Sequence, residues 1–235
     1  MNNSTLQLKL KQRLNKIASN DYDNIECWQI VEAFNKTQLE WCRRQLHGNN
    51  LYKEGDEMSK RRVDDLQILL KELTLTGTSN NTYFESTNFP VADYLEYKKV
   101  KALVKNDCCP EDRVMNVYLA EEGNVDLIMR DEFKNPSFEW AETFCTLLGN
   151  KIRVYRETDF TFNQVILTYY RKPVNIQITG CKDPYTGLVS TTDIIPEFKD
   201  DIVELLLDDT ASLIAGDIES FQQMQRNQQS SERNN

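Results

Sequence analysis

Histidine is almost absent from this sequence: His47 is the only one in 235 residues. A Ser–His–Asp or Cys–His centre would have to be built around it, and it sits among Arg43, Arg44 and Gly48 at the expected end of a helix. The helix dipole favours a histidine there, so His47 reads as a structural or solvated residue rather than a general base. Metal-ligand spacing is also lacking. The six cysteines (Cys27, Cys42, Cys108, Cys109, Cys145, Cys181) contain no Cys-x-x-Cys pair, and adjacent residues such as Cys108 and Cys109 rarely chelate one ion. Reduced, partly buried thiols are the expectation, with no metal site and no disulfide framework. Glycine is sparse, at eight residues, and neither a Gly-x-Gly-x-x-Gly loop nor a phosphate-loop lysine motif is present. No run of eighteen apolar residues occurs, so no membrane span is expected. The segment Met1 to Lys11 is polar and has no apolar h-region, which points to a soluble protein made in a cytoplasm. Finally, there is no excess of basic residues. Lys and Arg total 28 against 37 Asp and Glu, a net charge of −9, which argues against general coating of a phosphate backbone.

What is present is a chain that is 40% hydrophobic, enough for one large domain or a domain with helical arms. Leu6, Leu10, Leu14 and Ile17 fall at helical spacing beside Lys9, Lys11, Arg13 and Lys16. Asp23 with Glu26 has the form of a capping box and precedes Val31, Phe34 and Trp41. Together they predict a helix over about 24–46, closed by Gly48 and two asparagines. Beyond a polar turn at Tyr52 to Asp56, Val63, Leu66, Leu70 and Leu73 predict a third helix. From Thr74 the texture becomes β-like. Val100, Ala102 and Val104 alternate with Lys99, Lys101 and Leu103. Arg113 to Ala120 is apolar on both faces, which predicts a strand covered on both. A short helix is expected at Val125 to Phe133. Phe138, Trp140, Phe144, Thr146 and Leu148 then fall at period two, Gly149-Asn150 suits a hairpin turn, and Ile152, Val154 and Tyr155 begin the return. Val165 to Tyr170 and Ile176 to Thr179 continue the β-rich region.

Pro196 is expected in the first turn of a final helix with the apolar stripe Phe198, Ile202, Leu205, Leu206, Leu213 and Phe221. That helix holds eight acids (Glu197, Asp200, Asp201, Glu204, Asp208, Asp209, Asp217, Glu219) against Lys199. The pairs Asp200-Asp201 and Asp208-Asp209 do not form clamps, because adjacent helical residues diverge by about 100°. Asp201, Glu204 and Asp208 can share one face, which reads as a solvated or repelling surface before it reads as a metal site. The basic stretch Lys9 to Lys16 lacks aromatic interleaving. With the acidic C-terminal helix it favours subunit contact over nucleic acid. The aromatics Phe138, Trp140, Phe144, Tyr155, Tyr169 and Tyr170 could line a pocket, though alternating strands make them core first. The fold class is therefore α+β: an N-terminal helical region (1–74), a β-rich domain with a short helical insertion (75–195), an amphipathic acidic C-terminal helix (196–221) and a polar tail (222–235) too poor in apolar residues to order itself.

Several runs carry a family likeness: Lys11-Gln-Arg-Leu-Asn-Lys16, Asp21-Tyr-Asp-Asn-Ile25, Cys27-Trp-Gln-Ile-Val-Glu-Ala-Phe-Asn35, Arg43-Arg-Gln-Leu-His-Gly48, Ser137-Phe-Glu-Trp140, Gly149-Asn-Lys151, Leu167-Thr-Tyr-Tyr-Arg-Lys-Pro173 and Ile195-Pro-Glu-Phe198. From about Leu6 to Gly216 the chain resembles virion structural proteins of crAss-like phages, and within them the neck ring proteins that stack below the portal of short-tailed phages. The resemblance implies a non-enzymatic homo-oligomeric ring, twelve-fold, around a DNA channel. The ring would dock on the portal or an adjacent ring and tail proteins, and DNA would pass without specific binding. It implies a place in the virion, assembled in the bacterial host cytoplasm, with no membrane partner. No catalytic, cofactor-binding or metal residue is expected, and no cofactor. Two other readings stay open: another tail or vertex module, and a metal-dependent nuclease built on Asp201, Glu204 and Asp208. An acidic channel wall formed by the C-terminal helix is a further expectation.

Overall fold

A computed structural model describes residues 1–14, 25–47, 64–106 and 109–217. In chain order the elements are α1 (Asn3–Leu14), α2 (Cys27–His47), β1 (Leu70–Leu75), β2 (Gly77–Ser79), β3 (Tyr83–Ser86), β4 (Tyr94–Asn106), β5 (Cys109–Leu119), α3 (Val125–Arg130), β6 (Glu142–Leu148), β7 (Lys151–Tyr155), β8 (Thr161–Arg171) and α4 (Asp200–Asp217). The fold class is α+β. Two compact units divide it, one of residues 1–68 with 173–235, the other Leu69–Lys172. The chain thus enters the sheet earlier, and leaves it earlier, than the sequence segments at 74 and 195 suggest.

The helical unit packs apolar faces at helical spacing. Leu6, Leu10 and Leu14 of α1, Ile30, Phe34 and Trp41 of α2, and Ile202, Leu206 and Ile214 of α4 are all buried. Trp41 meets Phe198 edge-on with centroids 5.2 Å apart. The start of α2 is capped one turn later than Asp23 would place it: the Glu26 amide donates to Gln29 Oε1 at 3.0 Å. Asp23 itself lies outside the described residues. Pro196 is not in the first turn of α4, which begins at Asp200; Pro196 and Phe198 are buried in the approach to it. Two aspartates then occupy the first turn, where the dipole favours them. Ile17, Val63, Phe221 and the tail lie outside the described residues.

The sheet unit is one eight-stranded sheet in the order β1-β8-β4-β5-β6-β7-β3-β2, antiparallel except for the parallel pair β5–β6. Its two edge strands, β1 and β2, are consecutive in sequence and separated only by Thr76, so the sheet curls until one strand passes from one edge to the other. Curling encloses a core of Leu75, Phe84, Val100, Ala102, Val104, Met115, Val117, Cys145, Ile152, Val154, Phe160, Val165, Leu167 and Tyr169. Gly77 makes the passage possible, since a Cβ there would lie 1.9 Å from the Glu85 carbonyl oxygen. Thr76 is tied on both sides: its carbonyl accepts from the Thr87 amide and its amide donates to Asn88 Oδ1, both at 2.8 Å.

Four sequence expectations change here. The third helix is not formed over Leu70 and Leu73: that stretch is β1, paired with β8, and tertiary pairing overrides the helical spacing. β5 is covered on one face only. Met115 and Val117 are buried, while on the other face Val114 is 59% exposed and Tyr118 38% exposed. The strand expected from Phe138 starts at Glu142, because Ala141 takes a left-handed φ of 55° and turns the chain. Ile176 to Thr179 contributes only an isolated bridge, Gln177 with Ile194. Other expectations hold. Val100, Ala102 and Val104 face the core. Gly149-Asn150 joins Leu148 to Lys151 with φ of 58° at the glycine. The short helix forms over Val125–Arg130.

Candidate functional site

Parallel strands cannot be joined by a tight hairpin, so the passage from β5 to β6 needs a long crossover. Residues 120–141 supply it, as a 3-10 turn (Glu122–Asn124), α3 and a run of turns. Side-chain bonds hold this crossover to the sheet. Tyr118 Oη donates to the Lys134 carbonyl at 3.3 Å, and Arg113 Nη1 donates to the Phe138 carbonyl at 2.8 Å while the guanidinium lies 5.4 Å from the Phe138 ring centre. Asp131 Oδ1 accepts from the Phe133 amide, and Ser137 Oγ from the Trp140 amide. Asn135 Nδ2 donates to Glu157 at 3.1 Å.

Those bonds fix the backbone and leave the large side chains pointing outward. Leu127 is 67% exposed, Trp140 77% and Phe133 95%. With Tyr118, Leu119 and Ile128 they line a groove of about 950 Å³ whose polar rim includes Glu121, Asp131 and Glu142. Beneath Tyr118, Phe144 lies with its ring centre 5.9 Å away and stacks on Tyr155 with centroids 4.6 Å apart and an interplanar angle of 14°. Burial, then the charges of Glu142 and Asp131, push the Tyr118 hydroxyl above its ordinary pKa. It therefore stays protonated and donates to Lys134. A surface of this kind is chemically suited to apolar side chains, since isolated exposed hydrophobics are ordinary whereas several lining one groove are not. Of the six aromatics singled out in the sequence, Trp140 lines the groove, Phe144, Tyr155 and Tyr169 are buried, and Phe138 and Tyr170 are half-buried. No family model matches the chain, and no curated protein matches its sequence.

The charged helices tell a different story from the one their sequence suggests. Basic α1 and acidic α4 meet within one chain. Arg13 donates through Nη2 to Glu204 and through Nε to Asp208, both at 2.5 Å. Lys9 also binds Glu204, and Arg44 of α2 binds Asp209. Lys199 binds Asp64. The charges of Lys9, Arg13 and Arg44, which the sequence offers to neighbouring subunits, thus find partners within the chain itself. Burial would raise the Glu204 carboxyl and lower the Arg13 guanidinium, yet their mutual hydrogen bonds, with Lys9 and Asp208, reverse both, so Glu204 is held below its ordinary pKa and Arg13 above it. Glu204 and Asp208 are thereby engaged, and among the described residues no group of three His, Cys, Asp or Glu side chains is placed to hold a metal ion. Asp201 is exposed on the same helix.

Cysteine is the second correction. Cys27 and Cys181 form a disulfide, with Cα atoms 5.7 Å apart, across 154 residues of sequence. Spacing could not reveal it, because the partners are brought together by tertiary packing of the helical unit. Cys42 and Cys145 are reduced and buried. Burial, aided by Glu197, pushes the Cys42 thiol up to about 12, and burial pushes Cys145 up to about 11. Neither is an activated nucleophile near neutral pH. Cys108 and the Cys109 side chain lie outside the described residues. His47 is exposed at the last position of α2.

Proposed function

We propose that this protein is a structural subunit of a homo-oligomeric ring in the head-to-tail connector, or neck, of a short-tailed bacteriophage. In this reading it docks below the portal, meets adjacent ring and tail proteins, and leaves a channel for DNA. The family likeness supplies the class of assembly. The observation that best supports a subunit role is the crossover groove, where Leu127, Phe133 and Trp140 stand largely in water on a backbone fixed by hydrogen bonds. Large apolar groups held rigidly outward are suited to burial against another protein surface, with little ordering cost on binding. Closed rings need patches of this kind on each copy.

The test is mass and shape. Light scattering after size exclusion, native mass spectrometry and negative-stain images are expected to give a closed ring of fixed copy number, alone or with the purified portal. A monomer at tens of micromolar that stays monomeric with portal present would overturn the reading.

A further inference from the structure

Within the helical unit, residues 177–194 run out and return as one arm. Its foot is a bridge between Gln177 and Ile194. There the buried Asn3 Nδ2 donates to the Gln177 carbonyl at 2.8 Å and to Asp193 Oδ1 at 2.7 Å. Above the foot, the Ser190 amide donates to the Cys181 carbonyl at 2.8 Å, and Lys182 bridges Val189. Asp183 closes the tip: its carboxylate accepts from the Tyr185 amide and from the Thr186 hydroxyl, both at 2.8 Å. Tyr185 is 81% exposed there and Leu188 72%. Among the described residues, every hydrogen bond made by 178–192 stays within the arm. The only bonded tie from this stretch to the rest of the unit is the disulfide between Cys181 and Cys27, the first residue of α2.

We infer that Cys27–Cys181 is a redox-operated latch on this arm, open while the chain is made in a reducing cytoplasm and closed once the particle reaches an oxidising medium. The timing rests on the reading of the protein as a virion subunit, and the mechanical role on the position of the bond. A cytoplasm keeps thiols reduced. Cys27 is half-buried where Cys181 is buried, so a small thiol reaches the Cys27 sulfur first. In opening, a glutathione thiolate attacks Cys27 Sγ, forms a mixed disulfide and expels the Cys181 thiolate. A second glutathione thiolate attacks the glutathione sulfur of that mixed disulfide and expels the Cys27 thiolate. Both protein thiolates take up a proton, and two reduced glutathiones have become one oxidised glutathione. In closing, oxidised glutathione accepts the two electrons and the same steps run backwards. The open arm pivots on its foot. The closed arm holds Tyr185 and Leu188 in one place, which lowers the ordering cost of any contact they make.

Two readouts on the full chain test it. The parent is equilibrated with glutathione in which the reduced form is in roughly hundredfold excess over the disulfide, and separately with oxidised glutathione alone. Cys27 and Cys181 are then scored by differential alkylation and peptide mass spectrometry. Free thiols are expected in the first mixture and the bonded pair in the second. Chymotrypsin cleavage after Tyr185 is timed on both samples and is expected to be roughly tenfold slower in the closed form. Cys27→Ser, shown to be folded by circular dichroism, is expected to cleave at the fast rate in both mixtures. A pair that stays bonded in the reducing mixture, or fails to bond in the oxidising one, overturns the latch. So does cleavage at one rate whatever the state of the bond. Each of these results leaves the ring reading standing, and that reading falls instead to a chain that stays monomeric with portal in both states.

Discussion

In the helical unit, Arg13 reaches two carboxylates of α4, Arg44 reaches a third, and a disulfide ties the start of α2 to the loop before α4. In the sheet unit, the core is sealed by curling and the crossover then turns Phe133, Trp140 and Leu127 outward. The two regions dispose of their extremes oppositely. The unit with the most conspicuous charge satisfies it internally, whereas the unit with an unremarkable composition keeps an unsatisfied apolar surface. Conspicuous charge in a sequence is therefore a poor guide to where a partner binds, since the nearest opposite charge can belong to the same chain.

The sharpest way to break the sheet unit is at its closure. Gly77→Val puts branched carbon where even a single Cβ would overlap the Glu85 carbonyl oxygen. Backbone has to move, and the expected cost is about 4 kcal/mol or outright loss of the sheet unit, measured by urea unfolding followed through β-sheet circular dichroism. A variant as stable as the parent would show that the passage from β1 to β2 is not held there.

The helical unit is expected to depend next on its covalent tie. Cys27→Ser with Cys181→Ser, or reduction of the parent, releases a loop spanning 154 residues. The expected loss is about 3 kcal/mol, read as a lowered midpoint for helical unfolding, with the sheet transition moved less. Equal shifts in both transitions would erase the distinction between the units.

A smaller effect, about 2 kcal/mol, is expected from Arg13→Ala, which leaves part-buried Glu204 and Asp208 without this guanidinium. Its pH dependence carries the argument. Glu204 has a folded pKa below its unfolded one, so its contribution is present above the unfolded value, near 4.3, and is lost as pH falls through the lowered folded value. The parent should lose helical stability on acidification through that window, and Arg13→Ala should lose less. An unchanged acid limb would show that the pair does not couple folding to protonation.

The sheet core and the apolar faces of α1, α2 and α4 were legible because they obey periods of two and 3.6. Val100, Ala102 and Val104, and Leu6, Leu10 and Leu14, are buried where alternation and helical spacing place them. Leu70 and Leu73 misled because three-to-four spacing in a short run fits either structure until β8 offers a pairing partner. The disulfide and the Arg13 cluster were invisible because they join residues more than 150 apart. The groove was half legible. Trp140 and Phe138 stood out as aromatics, but the period-two pattern assigned them to a strand, and only the turn at Ala141 takes them off it.

That turn supports the finest test. Ala141 holds φ of 55° without being glycine, and Gly149 holds φ of 58° in the hairpin of the same strand. A Cβ in the left-handed region costs roughly 1–2 kcal/mol, and glycine in the unfolded chain costs about 0.4–1 kcal/mol in entropy. Ala141→Gly should therefore stabilise the sheet unit slightly, by about 0.5 kcal/mol, and Gly149→Ala should destabilise it by about as much. At Ala141 the carbonyl accepts from the Asn116 amide at 2.8 Å, so the turn has a bond that holds it open for either residue. If Ala141→Gly instead costs stability, the alanine is fixing the direction in which Trp140 leaves the sheet, and the rigidity of the groove depends on that one strained residue.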